Sequence, residues 1–155
     1  MIKIRVVAVG KDKAAWVTDG SAHFEKLLSK YCKISWETIA SEKSSSLSST
    51  EIRKREAKRL LSKLGDGFVV ALDDSGKAYD SPQLASQLEK WQIQCRGTIT
   101  FVIGGPYGLD QTVLKRADSR LSLSPLTFSH QIVRLVLLEQ LFRAFSILKG
   151  TDYHK

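Results

Sequence analysis

Thr98-Ile99-Thr100-Phe101-Val102-Ile103-Gly104-Gly105-Pro106-Tyr107-Gly108 is the stretch that decides the fold. β-Branched and aromatic residues predict a strand over 98–103, which then breaks into three glycines within five positions. Phe68-Val69-Val70-Ala71-Leu72 is its companion. It is apolar without alternation, the pattern of a strand covered on both faces. Asp73-Asp74-Ser75-Gly76 predicts a turn at its carboxyl end. Working outward, Ile2 to Val9 reads as a strand closed by Gly10, Ile34 to Ile39 alternates as a second strand, and Arg120 to Leu123 suits a short fifth.

Helical periods separate these runs. From Asp12 to Tyr31, apolar residues Val17, Phe24, Leu27, Leu28 and Tyr31 share one face. A Ser-rich loop, Ser41 to Ser49, is expected to move, and Thr50 is positioned to cap the helix that Gly65 ends. Ser81-Pro82 opens another helix, with Leu84, Leu88 and Trp91 on one side. A short helix is expected over 110–117 and a long one over 130–148. Strict alternation of strand and helix predicts an α/β domain with a mostly parallel sheet. At 155 residues, with no repeat or composition break, residues 1–155 read as one domain.

The helix over 130–148 carries apolar residues on every side of its wheel, so it is expected to be buried all round. With one face on its own sheet, the other calls for a partner, which predicts a homodimer. Arg134, Glu139 and Arg143 interrupt it, so it does not read as a membrane span. The N-terminus shows no signal-peptide pattern, and Cys32 and Cys95 form no CxxC pair, so a cytoplasmic protein without a disulfide framework or thiolate metal site is expected. His23, His130 and His154 have no ligand spacing, and no metal is expected.

Lys and Arg total 24 against 16 Asp and Glu, a net charge of +8 that favours a polyanionic partner such as nucleic acid. Arg53, Lys54, Arg55, Lys58, Arg59 and Lys63 crowd one helix. They make either a solvated face or a phosphate-contacting one. In open parallel sheets, ligands sit beyond the carboxyl ends of the strands. Three loops qualify here: the one after Leu72, the Gly104–Gly108 loop, and Ser122 to Phe128. The glycines serve either a tight turn or the close approach of a ligand. They fit neither a GxGxxG nor a Walker pattern. Thr151-Asp152-Tyr153-His154-Lys155 either frays or folds over a site as base, stacking ring and phosphate clamp.

The opening IKIRVVAVGK, the runs VVALDDSGKAYDSPQLASQLEKW, TFVIGGPYGL and SLSPLTFSHQIVRLVLLEQLFRAF, and the terminal YHK together resemble the RlmH family of small SPOUT methyltransferases. The resemblance spans nearly the whole chain. It implies an α/β fold with a C-terminal trefoil knot, a homodimer, and S-adenosylmethionine as methyl donor. The implied reaction is methylation at N3 of a pseudouridine in large-subunit ribosomal RNA within the assembled ribosome. Leu72, Gly104, Leu123, Ser124, Pro125, Leu126, Thr127 and Phe128 match the family's donor contacts. Tyr153, His154 and Lys155 match the tail that completes the partner's site. Arg134 or Lys155 would hold phosphate or the developing uracil oxyanion, and Arg53, Lys54 and Lys58 would meet RNA. Two departures stand out: the 41–49 loop, often Lys- and Gly-rich in relatives, has Lys43 as its one basic residue, and Ser129 replaces a frequent Pro. A SPOUT enzyme acting on another RNA such as tRNA, or a non-catalytic ribosome-binding factor, are the rival readings.

Overall fold

Strand and helix alternate from end to end. The structure, a computed structural model, describes residues 1–155. In chain order the elements are β1 (Ile2–Val9), α1 (Ala15–Leu28), β2 (Cys32–Ile39), α2 (Ser49–Leu64), β3 (Phe68–Ala78), α3 (Ser81–Gln94), β4 (Thr98–Ile103), α4 (Gln111–Arg116), β5 (Ser119–Ser122) and α5 (His130–Leu148). The five strands form one sheet in the order β2-β1-β4-β3-β5. Every neighbouring pair is parallel.

The two-residue period of a strand sorts side chains onto opposite faces. Ile4, Val6 and Ala8 of β1 join Ile99, Phe101 and Ile103 of β4 in the larger core, where Leu88, Trp91 and Leu138 also sit. Val7, Val9 and Val102 face the other way, with Leu60 and Leu64 of α2 and Val113 and Leu114 of α4. Each fully buried Leu, Phe or Val contributes about 1.5–3 kcal/mol, so both helical layers are strongly held.

Helix α5 lies between α1 and α3 and touches β4. Leu137, Leu138, Leu141, Phe142, Ala144 and Phe145 are buried within the chain itself. The enclosure expected of α5 is therefore met largely by two flanking helices and the sheet, without a second copy. Ile132 in its first turn stays 42% exposed.

Two local expectations are corrected. Ser48, not Thr50, caps α2: its Oγ accepts from the Glu51 N–H at 3.2 Å. Ser48-Ser49-Thr50-Glu51 has the S-x-x-E order of a helix start, which moves the cap two residues upstream. Strand β3 also does not end at Leu72. Residues 73–76 leave the ladder and the chain then rejoins it, with both Leu72 and Lys77 in register with Leu121. The turn chemistry is real, but it makes an excursion inside a strand.

Candidate functional site

The excursion from β3, the loop after β4 and the loop after β5 open onto one cleft of about 980 Å³ at the carboxyl edge of the sheet. Leu72, Ile103, Leu121 and Leu123 give it apolar walls, Asp73, Asp74 and Asp110 add carboxylates, and Thr50 and Arg53 of α2 reach it from the other layer. Of the eight residues matched to donor contacts, Leu72, Gly104, Leu123, Ser124, Leu126, Thr127 and Phe128 line the cleft and Pro125 does not.

Local chemistry shapes each wall. In the glycine loop, the Gly108 N–H donates to the Gly105 carbonyl at 3.0 Å, and Gly108 has a φ of 81°. A Cβ on Gly104 would come within 2.8 Å of the Gly108 carbonyl carbon. The chain's own crossing therefore demands glycine at both positions. On β3, Asp73 Oδ2 accepts from the Ser75 N–H at 3.2 Å and pins the excursion. After β5, the Leu126 N–H donates to Ser124 Oγ at 3.0 Å, and Ser129 Oγ caps α5 by accepting from Ile132 N–H at 3.3 Å. Asp110 caps α4, and hydrogen bonds from the Thr112 backbone and hydroxyl hold its carboxyl below the usual range.

Glu56 lies beneath the glycine loop and is only 2% exposed. Its Oε2 accepts from the Glu42 N–H at 3.2 Å, while Oε1 has no partner. Burial pushes this carboxyl above its ordinary range. On the outer face of α2, Lys54 and Lys58 are exposed, and Arg53 Nη1 donates to the Tyr107 carbonyl at 3.4 Å.

The residues suggested for catalysis are not brought together within one chain. Tyr153 packs edge-on against Phe142 at 4.6 Å and donates from its hydroxyl to Glu139 Oε1 at 3.0 Å. Arg143 Nη2 donates to the same oxygen at 2.6 Å, and its Nη1 lies 3.3 Å from His154 Nδ1. Burial, then the bond to Glu139, raises the Tyr153 phenol. Lys155 is exposed at the chain end. His130 lines the cleft, whereas Arg143 stands about 20 Å further along the α5 axis. Arg134 instead donates to the Val9 and Gly10 carbonyls at 3.2 and 2.6 Å, beyond the end of β1. Glu139 and Arg143 organise the tail, a role that composition and spacing do not announce. The trace they leave is an i,i+4 ion pair on an otherwise apolar helix. No group of three or more His, Cys, Asp or Glu side chains is placed to hold a metal ion.

A parallel α/β sheet with a three-loop cleft at its carboxyl edge places the chain in the class of α/β proteins that hold a small ligand at that edge. Within that class the chain belongs to the SPOUT methyltransferases: the family profile, described as "Predicted SPOUT methyltransferase", matches residues 2–154. Curated relatives named ribosomal RNA large subunit methyltransferase H match at full length. The one from Acetivibrio thermocellus is 42% identical, covering 99% of this chain and 100% of its own. That from Listeria monocytogenes is 39% identical over the same shares. Among solved structures, a tRNA methyltransferase from Aquifex aeolicus aligns with a TM-score of 0.56 at 18% identity, covering 99% of this chain and 73% of that one, a likeness of fold.

Proposed function

We propose that this protein methylates N3 of a pseudouridine in large-subunit ribosomal RNA, in the assembled ribosome, with S-adenosylmethionine as donor. The observation that carries this reading is the convergence of the three loops marked by the resemblance on one cleft. The residues fit the donor: apolar Leu72, Ile103, Leu121 and Leu123 suit an adenine ring, and Asp73 and Asp74 suit a positive charge. When bound, S-adenosylmethionine supplies an electrophilic methyl group. The chain's task is then positioning, since a well-oriented pair of reactants loses much of its barrier.

The attacking ring nitrogen must shed its proton, and imidazole is suited to take it near neutrality. His154 takes that role in this proposal, with Tyr153 as stacking ring and Lys155 countering developing charge; Arg134, bound to the Val9 and Gly10 carbonyls outside the donor cleft, takes no part in it. The tail docks on α5 away from its own chain's cleft, which favours its service in the cleft of a second copy. Trp16 and Ile132, 52% and 42% exposed, offer such a copy apolar surface. They belong to the joined N-terminal ends of α1 and α5, where Gln131 Nε2 donates to Asp12 Oδ1 at 3.3 Å. The C-terminal knot is part of the same reading. In its support, α5 follows the edge strand β5 yet packs against α1, which connects β1 to the opposite edge strand β2. No helix is long and apolar enough to cross a membrane, in keeping with work on ribosomes in the cytoplasm.

Transfer of labelled methyl to unmodified ribosomes, free ribosomal RNA and tRNA tests the proposal. Incorporation into ribosomes alone is expected. Incorporation into tRNA alone, or failure to bind the donor at all, overturns it. His154→Ala is expected to lower turnover about 10²–10⁴-fold with donor affinity kept. Unchanged turnover removes His154 from the mechanism.

A further inference from the structure

A second cavity, about 330 Å³, lies between α1 and the β1–β2 side of the sheet, with Lys11 and Asp12 after β1 at one end, and it shares no lining residue with the donor cleft. The first turns of α5 divide the two: His130 and Val133 line the cleft, and Arg134 lines the second cavity. The volume is at the lower end for small-ligand sites, enough for one planar ring and its sugar.

Its walls are those of a ring-binding site. Trp36 is held by its Nε1–H, which donates to Glu25 Oε1 at 2.6 Å. The Arg134 guanidinium stands 6.0 Å from the indole centroid, the outer limit of a cation–π contact. Arg134 is 5% exposed, and its Nε is a buried donor without a partner. Asp12 Oδ2, in the same wall, is a buried acceptor without one. Such orphaned groups are rare and call for an explanation. A ligand whose edge offers both an acceptor and a donor answers both at once, and Lys11 at the exposed margin can meet a phosphate. A nucleotide combines a planar edge of that kind with a phosphate.

We propose that this second cavity receives an unstacked nucleobase of the RNA substrate, distinct from the base presented to the methyl donor. The inference rests on the proposed RNA substrate. Separate cavities with separate walls make the two bases different residues of the RNA. The cavity thus serves as a specificity site that grips a neighbouring unpaired nucleotide while the target enters the cleft, with stacking on Trp36 as the main contact.

The test uses full-length protein, S-adenosylhomocysteine binding, a short unpaired RNA, uridine and adenosine monophosphates, and methyl transfer to unmodified ribosomes. In the wild type, the short RNA is expected to quench tryptophan fluorescence saturably. Trp36→Leu is expected to abolish most of that quenching and raise KM for ribosomes about tenfold, the size of one lost stacking contact, with S-adenosylhomocysteine affinity unchanged. Ser21→Phe, which fills the cavity from α1, is expected to do the same to KM without removing an indole, which keeps the test valid should Trp36→Leu fail to fold. A folded Trp36→Leu or Ser21→Phe protein with unchanged KM and RNA affinity overturns the cavity assignment, whatever the methylation result. If ribosomes accept no methyl but Trp36-dependent quenching persists, the functional proposal fails and the base pocket stands. Equal affinity for monophosphates and for RNA would make the free nucleotide the ligand and overturn the RNA source.

Discussion

Glu56 is a carboxyl kept from water under Gly105, where an added side chain would crowd it. A Cβ on Gly105 would sit 3.1 Å from Glu56 Oε1 and 3.2 Å from Val9 Cγ1. Burial raises the Glu56 carboxyl above its unfolded value, so the sign of its pH effect is set. The folded state favours the protonated form. The contribution of Glu56 is therefore fully present below the ordinary carboxyl range and is lost as pH rises through the raised folded value. Glu56→Gln keeps an acceptor for the Glu42 N–H and cannot ionise. It is expected to raise Tm at pH 8 and to leave it unchanged near pH 3, by thermal melts across that range. A pH-independent difference would remove ionisation as the cause. Gly104→Ala forces backbone apart at 2.8 Å. It is expected to cost about 1–3 kcal/mol and to weaken S-adenosylhomocysteine binding at least tenfold by calorimetry.

At the scale of elements, α5 was the most legible part of the sequence and β3 the least. Nineteen residues with apolar side chains on all faces, bounded by Ser129 and Gly150, leave a helix little freedom to begin or end elsewhere. What covers that helix was not legible, because a wheel shows that a face is apolar but not which neighbour meets it. In β3 the Asp-Asp-Ser-Gly chemistry makes the turn its residues predict, but inside the strand rather than at its end. Whether a turn ends a strand or interrupts it depends on whether the partner strand is still there, and Leu121 is. The three loops of the cleft were legible because topology forces carboxyl-end loops to one edge. The separation of Arg134 from the tail was not, since a helix carries both without revealing where each end docks. Ser129 is expected to matter as a cap: Ser129→Ala should cost about 1 kcal/mol, a fall of about 2–4 °C in Tm by calorimetry.

For the whole molecule, the +8 charge predicts how binding responds to salt. Lys54 and Lys58 are exposed on α2, the helix whose Arg53 reaches the cleft rim. If both meet phosphate, Lys54→Glu with Lys58→Glu is expected to flatten the log–log salt slope of RNA binding by about 1.4–1.8. An unchanged slope assigns that face to solvent. The proposed assembly predicts a mass of two chains by light scattering at micromolar concentration. A chiefly single-chain mass would leave the tail without a second cleft to serve.

Helix α5 begins at the donor cleft and carries the tail's docking residues about 20 Å further on. That makes it a ruler. One residue added within it would lengthen it by about 1.5 Å and swing everything beyond by about 100°. Neither change can be absorbed by a rod wedged between two helices and a sheet. A change in the length of α5 is therefore far harder to absorb than one in the Ser-rich segment, since the length of α5 sets how far the tail's docking residues lie from the cleft.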